Sequence, residues 1–144
     1  MSALIVLMLF MTEYELDFGW VISVPKGWSS ERDNGEYIFY PDGSDTTLYA
    51  AVFHAEKDGQ PADDLVMREI FLSTVPTDNK KLAVYSKLCC EAFLIVSEGI
   101  YRICCGFFFE GELMSVNLYS KDEKETTELF EKIYSTIRIV KNNR

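Results

Sequence analysis

Histidine is the scarcest functional side chain in this sequence: His54 is the only one. A nucleophilic Cys–His pair therefore has one candidate base. There is no Gly-rich phosphate loop and no Gly-x-Ser-x-Gly elbow, so two common routes to an active site have no signal here. Basic residues are also few. Lys and Arg number 14 against 23 Asp and Glu, a net charge of −9. Such a surface repels phosphate backbones and gains nothing from anionic membranes, so neither nucleic acid nor membrane is an expected partner. No apolar run is long enough to span a bilayer as a helix. The longest, Ala3 to Met11, has nine residues. No Lys or Arg precedes it, no small-x-small cleavage site follows before Glu13, and no lipid-accepting Cys follows it. It reads as a strand, with an upstream start before a truer Met11 as the other reading. An exposed strand of this kind invites pairing with a second copy, hence a homodimer. Without a credible export signal, a cytoplasmic chain with reduced thiols is expected, with export of the chain through its N-terminal apolar run as the alternative.

The four cysteines form two adjacent pairs, Cys89-Cys90 and Cys104-Cys105. Structural zinc needs Cys-x2–4-Cys knuckles that let two sulfurs converge, whereas neighbours on a strand point apart. Neither a metal nor another cofactor is expected. The cysteines read as small buried hydrophobes.

What is abundant is aromatic and β-branched. Apolar residues make up 48% and charged residues 26%, which suits one soluble domain over 1–144. Tyr14, Leu16, Phe18, Trp20, Ile22 and Val24 alternate with mostly polar neighbours, predicting one long half-buried strand, bent at Gly19 and ended by Pro25. Ser29 to Gly35 reads as a polar loop. Strands follow at Glu36 to Tyr40 and Thr46 to His54, separated by Pro41-Asp42-Gly43. Pro61 opens a helix to Thr74, with Val66, Met67, Ile70, Phe71 and Thr74 as its stripe. Leu82 to Leu88 is a candidate strand. A meander from Ala92 to Tyr119 turns at Glu98-Gly99 and Glu110-Gly111. Those turns place Phe93 opposite Cys104, Leu94 opposite Ile103, Phe107 opposite Met114 and Cys105 opposite Val116. Both faces of the meander are then apolar and need cover. Ser120-Lys121-Asp122-Glu123 reads as a capping box, starting a helix with the stripe Thr126, Leu129, Phe130, Ile133 and Tyr134. The fold class is α+β: an antiparallel sheet of about seven strands sandwiched between helical layers, α/β/α.

The order of elements and the residues Phe18-Gly19, Val24-Pro25, Gly27-Trp28, Pro41-Asp42-Gly43 and Ser135-Thr136-Ile137 resemble the PsbP-like superfamily. That superfamily includes a photosystem II extrinsic subunit, a Ran-release factor, and bacterial domains, some of them chaperones for secreted toxin effectors. The resemblance implies a fold, a bacterial protein and a protein-binding role. It implies no reaction and carries over no site residue.

The chemical candidates are few. His54 with Cys89, Cys90, Cys104 or Cys105 is the enzyme reading. Asp63 and Asp64, or Glu31, Asp33 and Glu36, read as helix cap and solvated loop, with spacing unlike an EF-hand. Trp28 either plugs the core or anchors a partner. With Tyr37, Phe39, Tyr40, Tyr49 and Phe53 it makes an aromatic region with an acidic rim, the expected surface for a hydrophobic or basic protein partner. The expected function is a non-catalytic binding module of adaptor or chaperone type. A small thiol/histidine enzyme and a self-associating structural subunit are the alternatives.

Overall fold

A computed structural model describes residues 10–140. Of the Ala3 to Met11 run, all but Phe10 and Met11 lies outside the described residues. The chain builds strands β1 (Met11–Glu15), β2 (Trp20–Pro25), β3 (Ser29–Asp33), β4 (Glu36–Tyr40), β5 (Thr47–His54), β6 (Glu56–Lys57) and β7 (Gln60–Pro61). Helix α1 (Asp64–Leu72) follows, then β8 (Lys80–Leu82), β9 (Cys89–Ser97), β10 (Ile100–Phe109), β11 (Glu112–Ser120), helix α2 (Glu123–Tyr134) and β12 (Arg138–Ile139). Seven strands make one antiparallel sheet in the order β3-β4-β5-β11-β10-β9-β8. A smaller sheet runs β1-β2-β12. No helix among the described residues is long and apolar enough to cross a membrane.

The meander has the register its Glu-Gly turns dictate. Phe93 pairs with Cys104, Leu94 with Ile103, Cys105 with Val116 and Phe107 with Met114. Glu98, Gly99, Glu110 and Gly111 all have positive φ, the conformation a two-residue hairpin turn requires. Gly111 also has a packing reason, since a Cβ there would sit 2.8 Å from Pro61.

Period-two pairing sorts the side chains onto two faces. The first carries Leu48, Ala50, Ile103, Cys105, Phe107, Met114, Val116 and Leu118. It is covered by Leu16, Trp20, Ile22 and Val24 of the β1–β2 hairpin and by Phe130 and Ile133 of α2. The second carries Phe93, Ile95, Cys104, Phe108 and Leu113, packed under Met67 and Phe71 of α1. Fully burying one such Phe is worth ~1.5–3 kcal/mol. Each face thus has a single helix rather than the expected helical layer, and on the first face a β-hairpin completes the cover.

Several local expectations are corrected. The long first strand is two: Asp17–Gly19 forms a 3-10 turn, with Phe18 at φ 59° and Gly19 at φ 79°. Tyr14 pairs with Ile22 and Thr12 with Val24, so even residues pair with even ones and the alternation runs unbroken through the turn. That continuity hides the hairpin from a periodicity argument. The polar stretch after Trp28 is an edge strand, β3, turning at Asn34-Gly35. Pro61 does not open a helix. It pairs with Glu56, and Asp63 caps α1 by accepting from Val66 N at 2.9 Å. The cap of α2 is Asp122, accepting from Glu125 N at 2.8 Å, while Ser120 still belongs to β11. Ile70, placed in the α1 stripe, is exposed. The strand expected at Leu82 to Leu88 ends at Leu82.

Candidate functional site

Helix α1 reaches only part of the second face. Register carries one row across the sheet as Ile38, Tyr49, Asn117, Cys104 and Phe93. The row beside it carries Thr47, Tyr119, Arg102 and Ile95. Phe93, Ile95 and Cys104 lie in the core under α1, while Ile38, Tyr49, Asn117, Tyr119 and Arg102 are only half-buried. Phe53 and Ile100, 53% and 42% exposed, border this open half.

The open half is ordered by its own contacts. Tyr49 and Tyr119 meet edge to face with ring centroids 5.6 Å apart, a favoured aromatic geometry. Arg102 lies over the Tyr119 ring at 5.7 Å. Its Nε donates to Asn117 Oδ1 at 2.9 Å. Tyr40 donates its hydroxyl to Glu31 at 2.6 Å, which holds that phenol's pKa above the ordinary value. Burial raises that of Tyr119, against the lowering effect of Arg102. A cleft of about 270 Å³ opens between Thr47, Tyr49, Ile100 and Tyr119, with the Lys121–Asp45 ion pair (2.8 Å) at its rim. The open half presents rings, a side-chain amide and one guanidinium on adjacent strands.

The six aromatic residues singled out by sequence do not form one patch. Tyr40, Tyr49 and Phe53 fall on the second face, the last two in register with Asn117 and Leu113. Tyr37 and Phe39 fall on the first, with Ala50 and Leu48. Phe39 is 1% exposed and packs on Tyr14 at 4.9 Å, so it is core. Tyr37 donates to Asp17 at 3.0 Å beneath Arg32. Trp28 is half-buried against the first-face core, closer to a plug than to a free anchor. Arg102, Asn117 and Tyr119 were missed as site residues. Extending the meander register by one pair puts Arg102 and Tyr119 on the face of Cys104 and Asn117, but only the pairing of β11 with β5 adds Tyr49 to that face.

His54 lines a different cleft, of about 510 Å³, with Glu15, Phe18, Gly19, Pro61, Glu110, Glu112 and Val140. No cysteine is among these lining residues. His54 Nε2 lies 3.2 Å from Glu56. Beside the cleft, the fully buried Trp20 donates Nε1 to Glu112 at 2.7 Å. Cys104 and Cys105 are buried, Cys90 half-buried and Cys89 exposed. Burial raises the pKa of all four thiols, Cys105 most, which is the reverse of nucleophile activation. Among the described residues no three His, Cys, Asp or Glu side chains are grouped to hold a metal ion.

The fold that carries these features is PsbP-like. The solution structure of cyanobacterial PsbP (CyanoP) from Synechocystis sp. PCC 6803 matches with a TM-score of 0.65 at 12% identity, over 90% of this chain and 92% of that one. A crystal structure from Bacteroides thetaiotaomicron VPI-5482 matches with a TM-score of 0.65 at 11% identity, over 94% of this chain and 50% of that one. The present chain therefore spans half the length of the Bacteroides protein. At such identities the likeness shows the fold alone. No protein-family model and no curated protein matches the sequence.

Proposed function

We propose that this protein is a non-catalytic binding module, of adaptor or chaperone type, which docks a protein partner on the open half of its second sheet face. One observation carries the reading: α1 stops short, leaving half-buried Tyr49, Tyr119 and Ile38 and exposed Phe53 and Ile100 on an antiparallel surface that no helix among the described residues covers. Tyrosines of this kind supply large contact area at low conformational cost. The carboxylates of Glu31, Asp33, Glu36 and Asp45 around it favour a partner that is basic where it meets the rim. The His54 cleft supports the enzyme alternative poorly, since it brings no thiol to the imidazole.

A photo-crosslinking residue in place of Tyr49 tests this against the same residue at exposed Lys132 on α2. The expected outcome is one discrete adduct from Tyr49 and none from Lys132, lost when Phe53 and Tyr119 are both changed to Ala. Adducts from both positions alike, or only from Lys132, would move the interface off this face. Dimer-sized self-adducts would favour the self-association alternative, for which β1, an edge strand of the smaller sheet among the described residues, is one candidate.

A further inference from the structure

A third cleft, of about 800 Å³, lies at the margin of the first-face core. Residues 135–139 line it, running from the end of α2 into β12, together with residues 85–88, which belong to no helix or strand, and Phe109 of β10. Leu88, Phe109 and Ile139 are half-buried against the first-face core, and Ile137 is part of it. Tyr85, 85% exposed, is the most exposed large hydrophobic side chain among the described residues. Sites for small molecules are concave, mostly apolar and about 300–1,000 Å³ in volume, and this cleft falls in that range.

Its charge sets it apart. The charged residues of the lining are Lys87 and Arg138, with no carboxylate among them. The His54 cleft is lined by Glu15, Glu110 and Glu112, and the cleft at Tyr119 sets Asp45 against Lys121. In a chain of net charge −9, an apolar hollow bordered by cations alone favours an anionic occupant. Arg138 is already engaged, 2.7 Å from Glu13. Lys87 is exposed and meets no carboxylate among the described residues, so its ammonium is the available contact.

The hydroxyls of the lining are taken up within the chain. Ser86 accepts from Leu88 N at 3.1 Å, and Ser135 donates to Lys132 O at 3.0 Å. Thr136 donates to Ile133 O at 2.6 Å and accepts from Ser23 N at 3.0 Å. Strand β12 has only two residues, a short ladder for an added strand. A polypeptide occupant would bring amides that find few partners here, at a cost for each one buried unpaired. A hydrocarbon chain brings none.

We infer that this cleft binds a single-chain amphiphile with a carboxylate head, of the fatty-acid class. The alkyl chain lies against Leu88, Phe109, Ile137 and Ile139, and Lys87 meets the head. One carboxylate is favoured over a phosphate, because the acidic chain and Glu13 beside Arg138 penalise each further negative charge. The site belongs to the first face, whereas the proposed docking surface is on the second, so the two readings stand independently.

The test titrates octanoate, octanamide, hexanoate and the peptide acetyl-Ile-Val-Glu-amide into the full chain. The methyl signals of Leu88, Ile137 and Ile139 are followed by NMR, with Ile95 and Leu113 of the second-face core as controls. Octanoate should give saturable shifts in the first set only, at a dissociation constant on the order of millimolar. Octanamide should bind about two- to fivefold more weakly, the worth of one exposed ion pair. Hexanoate should bind about tenfold more weakly, for two methylenes lost from the cleft. Lys87→Gln, at an exposed position, should bring octanoate down to the level of octanamide and leave octanamide unchanged. Equal binding of acid and amide would overturn the anionic head. Equal binding of hexanoate and octanoate would overturn the buried chain. Shifts in both methyl sets alike, or in neither, would overturn the site. Tighter binding of the peptide than of octanoate would give the cleft to a polypeptide and overturn the assignment to an alkyl chain. None of these outcomes bears on the Tyr49 crosslinks, which read the other face.

Discussion

The two faces of the seven-stranded sheet are built from similar strands and end up with different company. The first is apolar across its width and is closed by a β-hairpin and α2. The second is apolar where α1 sits, over Phe93, Ile95, Cys104, Phe108 and Leu113, and elsewhere carries Arg102 of β10, Asn117 and Tyr119 of β11 and Tyr49 of β5. Cover follows the apolar pattern because an uncovered Phe or Ile row costs free energy in water, whereas a Tyr or Arg row keeps its polar tips solvated. The first face therefore holds the fold together, and the open half of the second is free to do something else.

The sharpest way to break this division is on the first face. Trp20→Ala removes a fully buried indole and deprives Glu112 of its N–H donor. A loss of ~3–5 kcal/mol is expected in urea unfolding. A loss below ~1 kcal/mol, as at a surface position, would mean that the hairpin is not the cover it looks to be.

The covered half of the second face is tested at Gly106. A Cβ there would lie 2.7 Å from the Phe71 ring, so Gly106→Ala should lift α1. Overpacking of this kind costs ~1–3 kcal/mol. The amides of α1 should exchange faster while those of α2 do not. Equal acceleration in both helices would show that the faces are not independent.

Thiol accessibility sharpens the comparison further. In native protein Cys89 should react first with a thiol reagent and Cys90 more slowly. Cys104 and Cys105, one on each face, should react only on unfolding. Fast native labelling of Cys104 would mean that α1 opens readily.

The smallest expected effect is in acid. Burial pushes the Glu91 pKa up, but Arg68 of α1, at 2.7 and 2.9 Å, and Lys81 more than offset it, so the folded value lies below the usual 4.5. A depressed carboxylate contributes stability above its unfolded pKa and loses it as pH falls through the folded one. Wild type should therefore lose α1 anchoring below about pH 4.5, and Arg68→Gln should flatten that part of the stability–pH profile. An unchanged profile would mean that the pair is too exposed to matter.

The residues themselves determined much of this molecule. Glu98-Gly99 and Glu110-Gly111 set the register of three central strands, because a two-residue turn with both φ positive leaves no freedom in pairing. Parity then assigned every meander side chain to a face, and Asp63 and Asp122 supplied the starts of the two helices. What the sequence could not decide was which apolar surface meets which. The β1–β2 hairpin was masked by an alternation that survives its own turn. Phe39 and Tyr40 are equally aromatic neighbours, yet one is core and the other surface, since adjacent strand residues point to opposite sides and only the assembled layers say which side is dry. The reach of α1 decided the candidate site, because the length of a helix over a wide sheet determines how much of that sheet water still touches.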